Sequence, residues 1–320
     1  MKLKIIAACI LTSNLIFAQA TLEEAKKYID VPGGVQNIDK KVLKEPDPQY
    51  MPYMALKFRT ATSKSAANGN GDNRVTATAY AMLDGMDSTI FQEITNEFYK
   101  SFIDKLKTAG VTFLDFEKIK TSKLYQKLSA EVEDRHYNNK NTGTSDVFTQ
   151  NYVPFFRYPA NAMKIAKMSN ELEACLSTLR ITINFVEFDL DLKKAYGYNT
   201  VTTSANADAQ AVIKIESIFA ESLSEGVTMG GGFTMSNKKY FSALFAGKQP
   251  IYEPFKATIT PYDDKLPKYA NRKFRMFGGG MQLGTFVVEV DPQDYKKAAL
   301  TALNRYADYI VATIKSYNTK

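Results

Sequence analysis

Apolar and polar positions alternate along this chain in two rhythms, and the clearest passage is MLDGMDSTIFQEITNEFYKSFIDKLKTAGVTFLDFEKIK, from Met82 to Lys120. It reads as strand, turn, helix, glycine stop and strand. Ile90, Phe91, Ile94, Phe98, Phe102 and Leu106 fall on one helical stripe, whereas Glu93, Asn96, Lys100 and Lys107 fall elsewhere. Asp87 and Ser88 are N-cap candidates, and Thr89 with Gln92 makes a capping box if the helix starts one residue later. Gly110 stands where a helix commonly ends. A helix of about 22 residues would be roughly 33 Å long and would cover a sheet. VTFLDF then predicts a short strand, so that the passage reads as a βαβ unit.

The rest of the chain alternates in the same way. Residues 21–53 hold Pro32-Gly33-Gly34, Glu45-Pro46-Asp47-Pro48 and Pro52, a density of helix breakers that predicts an extended lead-in outside the core. Residues 55–60 suit a first strand, TSKSAANGNGDNR an exposed loop or hairpin tip, and Val75, Ala77, Ala79 and Ala81 a strand entering the Met82–Lys120 passage. Residues 162–176 predict a helix with Met163, Ile165, Ala166, Leu172 and Cys175 apolar. In LRITINFVEFDLDL the period-two run of Ile181, Ile183 and Phe185 breaks at residue 186 and resumes with Phe188, Leu190 and Leu192, which predicts a bulge or bend in a long strand. AQAVIKIESIF, GVTMGGGFTM, FKATIT and FRMFGGGMQLGTFVVEV suit further strands. Asp291-Pro292 then opens a last helix, with Tyr295, Ala299, Ala302, Tyr306, Tyr309, Val311 and Ile314 on its apolar face. The expected class is therefore mixed α/β (α+β): a mixed β-sheet covered by long amphipathic helices, one of them C-terminal.

The N-terminus changes the picture from fold to address. MKLKIIAACILTSNLIFAQA carries Lys2 and Lys4, an apolar run from Ile5 to Phe17 and the small-x-small Ala18-Gln19-Ala20, the pattern of a cleaved signal peptide. The run is too short for a spanning helix and contains Thr12, Ser13 and Asn14. Cleavage before Thr21 removes Cys9 and leaves Cys175 as the one cysteine, so stability must come from core burial, to which the 12% aromatic content contributes. No later stretch predicts a transmembrane helix. The expected organisation is a signal peptide over 1–20, the Pro/Gly-rich lead-in over 21–53 and one α/β domain over 54–320, a division near residue 150 being the alternative. The expected localisation is periplasmic, outer-membrane-associated or extracellular.

Candidate chemistry is sparse. The turn Leu83-Asp84-Gly85-Met86-Asp87 places one glycine between two carboxylates, which would repel a phosphate, so the Met82–Lys120 passage is read as scaffold and no cofactor is expected. His136 is the only histidine and sits beside Glu131, Glu133 and Asp134; a metal site there lacks a second histidine or clustered cysteines, and a solvated loop is the plainer reading. No G-x-S-x-G elbow serves it, and no catalytic residue is assigned. Glu187, Asp189 and Asp191 share one strand face and keep a carboxylate-dependent hydrolase in play, favoured by a cleft around them and disfavoured by their exposure. The triplets Gly230–Gly232 and Gly278–Gly280 predict a bend or a close backbone approach; as inserted hairpins they would make an oligomeric outer-membrane pore, but the first is interrupted too early for a barrel strand. Lys265, Lys268, Arg272, Lys273 and Arg275, interleaved with Tyr269 and Phe274, are the candidate contact for an anionic partner, which for an exported chain means lipid headgroups or wall polymers and not nucleic acid; a solvated basic loop is the plainer reading.

Residues 85–129, with Asp115-Phe116-Glu117-Lys118-Ile119 following the helix and strand, resemble the corresponding segment of envelope proteins related to the curli secretion channel and to the TolB amino-terminal domain. The resemblance implies an α/β envelope module that assembles with partners rather than catalysing; a homo-oligomer is a separate expectation for the chain. It transfers no functional residue, and neither a usable lipid-anchor cysteine nor the membrane hairpins of a secretion channel accompany it. The expected function is an exported, non-catalytic envelope binding or assembly protein, with the hydrolase and the pore as rivals.

Overall fold

The computed structural model describes residues 20–29, 43, 46–68, 75–130, 136–139, 143–154, 162–196, 201–216, 221–223, 226–228, 232–235, 243–262 and 281–318. The helices are α1 (Leu22–Tyr28), α2 (Ser88–Thr108), α3 (Phe116–Lys120), α4 (Lys123–Ala130), α5 (Ala162–Leu172) and α6 (Pro292–Asn318). A nine-stranded sheet holds β1 (Gln49–Tyr50), β2 (Met54–Arg59), β5 (His136–Asn139), β6 (Gly143–Thr149), β7 (Cys175–Tyr196), β8 (Val201–Glu216), β11 (Gly232–Met235), β12 (Ala243–Phe245) and β13 (Ile251–Pro254). A second sheet runs in the order β14 (Ala257–Pro261), β15 (Met281–Val290), β4 (Val75–Asp84), β3 (Ala61–Asn68), and β9 (Glu221–Leu223) pairs only with β10 (Gly226–Thr228) among the described residues. The fold is mixed α/β, as the periodicity predicts.

Helix α2 begins where its sequence says. Asp87 caps it, its Oδ1 accepting from the backbone N–H groups of Thr89 and Ile90, so the helix starts at Ser88 and no Thr89–Gln92 box is needed. At the far end Gly110 N–H donates to Lys107 O and Val111 N–H to Leu106 O, the two bonds of a Schellman stop. All six stripe residues are buried. The expected strand after the stop is a correction: Val111 to Leu114 clasps Gln49 through a single bridge at Phe113, and α3 follows at once. Because Gln49 belongs to the other sheet, strand, helix and bridge do not form a βαβ unit of one sheet.

The true partner of the β4–α2 unit is β15–α6. Strands β4 and β15 pair in parallel, and each leads directly into a long helix. The helices also run parallel and are tied in matching steps by Lys296 to Glu93, Ser101 to Asn304 and Lys105 to Asp308. Gly85 turns the chain between β4 and α2 with φ +87°, and a Cβ there would lie 2.4 Å from the carbonyl oxygen of Val290, at the end of β15. This glycine serves the packing of two adjacent units, which is the scaffold role expected of the turn.

Helix α6 is capped by Asp291, whose Oδ1 accepts from Gln293 and Asp294 N–H, and all seven predicted apolar positions are buried. From Tyr306 to Ile314 nearly every residue is buried, because α2 lies on one side, α1 on another and β8 and β13 beneath. The expected lead-in outside the core is thus corrected. Thr21 caps α1, Ala25 and Ile29 are fully buried, Tyr28 stacks on Tyr309 at 4.9 Å, and Tyr50, Met51 and Tyr53 are core residues. Its prolines and glycines hid a one-sided helix too short to announce itself by periodicity. The helix expected over 162–176 ends at Leu172, and Cys175 opens β7 as a buried strand residue.

Candidate functional site

The site arises from one event in the chain path. Strand β2 runs parallel to β7, pairing from Met54↔Leu179 to Phe58↔Ile183, and then the chain bends at Thr60 and enters β3, which belongs to the second sheet. Strand β7 continues, so beyond Ile183 it has no ladder partner on that side among the described residues. At the same level β7 changes the side it buries: Ile181, Ile183 and Phe185 are core on odd positions, Val186 and Phe188 on even ones, and Phe188 meets Phe286 of β15 at 6.2 Å. The predicted break at residue 186 is this change of side. The ladder is irregular there, but the extra residue lies in β8, since Asn184 pairs with Lys214 and Val186 with Ala211.

A groove of about 230 Å³ occupies the fork. Its walls come from Arg59 at the end of β2, from Thr62, Ser63 and Lys64 of β3, from Asn184, Val186, Glu187 and Phe188 of β7, and from Lys214 and Glu216 of β8. Lys64 Nζ donates to Glu187 Oε1 at 2.7 Å and to the carbonyl of Phe188 at 2.6 Å, so a side chain takes over bonding that a neighbouring strand would have supplied. Asn68 does the same lower down, donating to Leu192 O at 3.2 Å. Lys214 reaches Glu187 at 3.0 Å and Glu216 at 3.1 Å. Burial alone would raise the pKa of Glu187, but hydrogen bonds and charge from Lys64 and Lys214 outweigh it and hold the carboxyl below its ordinary value. Burial works against the Lys214 ammonium, yet Glu187 and Glu216 leave its pKa raised. Burial lowers the Arg59 pKa while the charge of Glu216 opposes it, and a guanidinium stays charged at neutral pH.

Asn184 is the least ordinary member. It is 7% exposed, its Nδ2 donates to Glu216 Oε2 at 3.0 Å, and its buried Oδ1 has no hydrogen-bond partner among the described residues. A buried acceptor left unserved costs roughly 1–3 kcal/mol. Across the sheet Asn184, Lys214 and Tyr252 stand directly opposite one another on β7, β8 and β13. The Tyr252 ring is 44% exposed with the Lys214 ammonium 5.9 Å from its centre. Among the described residues the groove thus brings together Arg59, Lys64 and Lys214, the engaged carboxylates of Glu187 and Glu216, the unserved amide oxygen of Asn184 and the neighbouring ring of Tyr252.

Of the acids expected to matter, Glu187 lines the groove, whereas Asp189 and Asp191 are exposed. His136 starts strand β5 opposite Asp146 instead of lying in a loop. The basic positions Lys265, Lys268, Arg272, Lys273 and Arg275 lie outside the described residues, as do Gly230, Gly231 and Gly278–Gly280. Gly232 is a close backbone approach, its absent Cβ having only 2.4 Å to Phe245 O. TSKSAAN, expected in an exposed loop or hairpin tip, is corrected to strand β3, which pairs antiparallel with β4 and supplies one wall of the groove. Among the described residues no helix is long and apolar enough to cross a membrane. Comparisons of the chain with protein-family models, with curated proteins and with solved structures find no match.

Proposed function

We propose that the chain is an exported, non-catalytic binding or assembly protein of a cell envelope, whose partners are other envelope proteins or anionic envelope polymers. The observation that carries this reading over the hydrolase is the state of Glu187. A general acid at a glycosidic bond needs a raised pKa. Glu187 instead has one oxygen held by Lys64 at 2.7 Å and the other by Lys214 at 3.0 Å, and these bonds and charges outweigh burial and lower its pKa; a carboxylate engaged at both oxygens is neither a ready proton donor nor a free nucleophile, which suits a fixed element of a binding wall. The signal-peptide pattern supports export, and Thr21, the expected first mature residue, caps the first described helix. The resemblance of residues 85–129 to envelope assembly modules supports the same role.

The test is fractionation of cells producing the native chain, with intact-mass measurement and identification of what co-purifies. The expected result is an envelope or extracellular species beginning at Thr21 without lipid. Recovery of the full-length chain from the cytosol, or of a species beginning with diacylated Cys9, overturns the address. Hydrolysis of a glycoside that disappears in Glu187→Gln overturns the non-catalytic role.

A further inference from the structure

We propose that the edge of β8 over residues 206–210 accepts an added β-strand from a partner protein, an extended segment in which apolar residues alternate with lysine or arginine. The inference rests on the reading of the chain as an assembly protein and names the kind of segment it assembles with.

The fork of β2 and β7 has a twin on the other side of the β7–β8 hairpin. Strand β13 pairs with β8 from Ile251↔Ile215 to Pro254↔Val212, Phe255 N–H makes a last bond to Ala211 O at 3.5 Å, and the chain then leaves for the second sheet as β14. Strand β8 runs on, and among the described residues its positions 201–210 pair with β7 alone. The two forks are finished differently. At the first, Lys64 and Asn68 of β3 reach back across the gap and serve Phe188 O and Leu192 O. At the second, the face of β14 turned to the core carries Ala257 and Ile259, which are apolar and only partly buried. Hydrocarbon side chains cannot serve the β8 edge, so its outward backbone N–H and C=O groups remain a template for another strand. The second sheet has four strands, whereas the β7–β8 hairpin that packs on it through Phe188 and Phe286 has two. A third strand beside β8 would take up the open backbone groups and cover Ala257 and Ile259 together.

Alternation then dictates what that strand carries. Ala207 and Ala209 pack toward the core, whereas Asn206, Asp208 and Gln210 are exposed on the other face. Residues set beside Ala207 and Ala209 therefore meet the floor of Ala257 and Ile259 and must be apolar, while the residue beside Asp208 stands in solvent next to a carboxylate. Asp208 lies directly opposite Asp189 of β7, a like-charge pair that weakens the hairpin, and neither acid has an ion-pair partner among the described residues. A lysine or arginine beside Asp208 answers both charges. A second copy pairing through the same edge fits worse, because it would bring another Asp208 to an edge that already holds two carboxylates. The five positions span roughly 17 Å, within the reach of a seven-residue segment.

The purified chain beginning at Thr21 is titrated with the capped heptapeptides KVKVKVK, EVEVEVE and KSKSKSK, following heat and backbone amide exchange. The second peptide reverses the charge of the first, and the third removes its apolar face. KVKVKVK is expected to bind at least about tenfold more tightly than either of the others and to slow amide exchange within residues 206–210. Asp208→Lys, at an exposed position, is expected to lower that affinity about tenfold and to turn the preference toward EVEVEVE. Ile259→Thr, which keeps the β-branch and removes part of the apolar floor, should lose about threefold. Denaturation midpoints near the parent's establish that either variant is folded. Equal binding of EVEVEVE or KSKSKSK, no response to any peptide, protection in β14 with none in β8, or parental affinity in folded Asp208→Lys overturns the assignment. Self-association of the parent that Asp208→Lys abolishes gives the edge to a second copy and overturns it as well. None of these results bears on fractionation, so failure of the strand-addition edge and failure of the envelope address are read separately.

Discussion

The paired β4–α2 and β15–α6 units and the fork between β2, β3 and β7 are built from adjoining strands, yet they meet opposite physical demands. In the paired units each strand has a partner, each helix lies along its twin, and the polar groups at the seam answer one another: Lys296 to Glu93 and Glu97, Ser101 to Asn304, Asn318 to the carbonyl of Ala109. At the fork a strand keeps going after its neighbour has left, and Lys64 and Asn68 must reach across to carbonyls that no ladder serves. Regular pairing closes a region to outside chemistry. A strand that outruns its partner opens a gap lined by polar side chains, and in this chain that gap contains the unserved amide oxygen of Asn184.

The sharpest way to break the contrast is to empty the closed region. Phe98 is fully buried between Phe102 and the sheet core, so Phe98→Ala should cost about 3–5 kcal/mol by urea denaturation, whereas Lys100→Ala, exposed on the same helix, should stay within about 0.5 kcal/mol. Similar midpoints for the two would remove α2 from the core. Gly85→Ala comes next. A methyl group 2.4 Å from Val290 O, on a residue at φ +87°, should cost about 1–3 kcal/mol and loosen β4 against β15, visible as faster amide exchange at Val288 and Val290. Unchanged exchange would mean that the two units do not depend on that turn. Asp87→Ala removes an oxygen that accepts two backbone N–H groups, for an expected loss of about 1 kcal/mol.

These two regions also differ in how openly the sequence announces them. The α2 stripe, the Asp87 cap, the Gly110 stop and the α6 face were all legible, because each is a local pattern whose physical cause lies within one element. The break at residue 186 was legible too, though its cause, a switch of the buried side, needed the second sheet to become visible. Strand β3 was hidden because an edge strand of Thr, Ser, Lys and Ala with little burial carries no apolar alternation. The groove was hidden for a related reason. Arg59, Lys64, Asn184, Glu187 and Lys214 come from four strands far apart in sequence, with no spacing to connect them, and only Glu187 belongs to a pattern visible in the sequence. In the paired units sequence neighbours make the structure, while at the fork chain topology does.

The smallest expected effect tests whether the fork charges belong to the scaffold at all. Glu187→Gln removes the carboxylate that Lys64 and Lys214 share, and with side chains 30%, 47% and 19% exposed respectively each pair contributes only about 0.2–1 kcal/mol. The sign follows from the direction of the shifts. The folded pKa of Glu187 lies below its ordinary 4.5, so its contribution is present above that value and is lost as the pH falls through the lowered folded pKa. Lys214 is shifted the other way, so its share is fully present below the ordinary 10.5 and fades only as the pH rises through the raised folded value. The stability difference between the parent and Glu187→Gln should therefore be constant near neutrality, close at the acid end below 4.5, and persist on the alkaline side to beyond 10.5. Paired urea titrations across this range measure it. A loss as large as that of Phe98→Ala, or one that ignores acid, would make the clamp part of the closed scaffold and erase the contrast between the two regions.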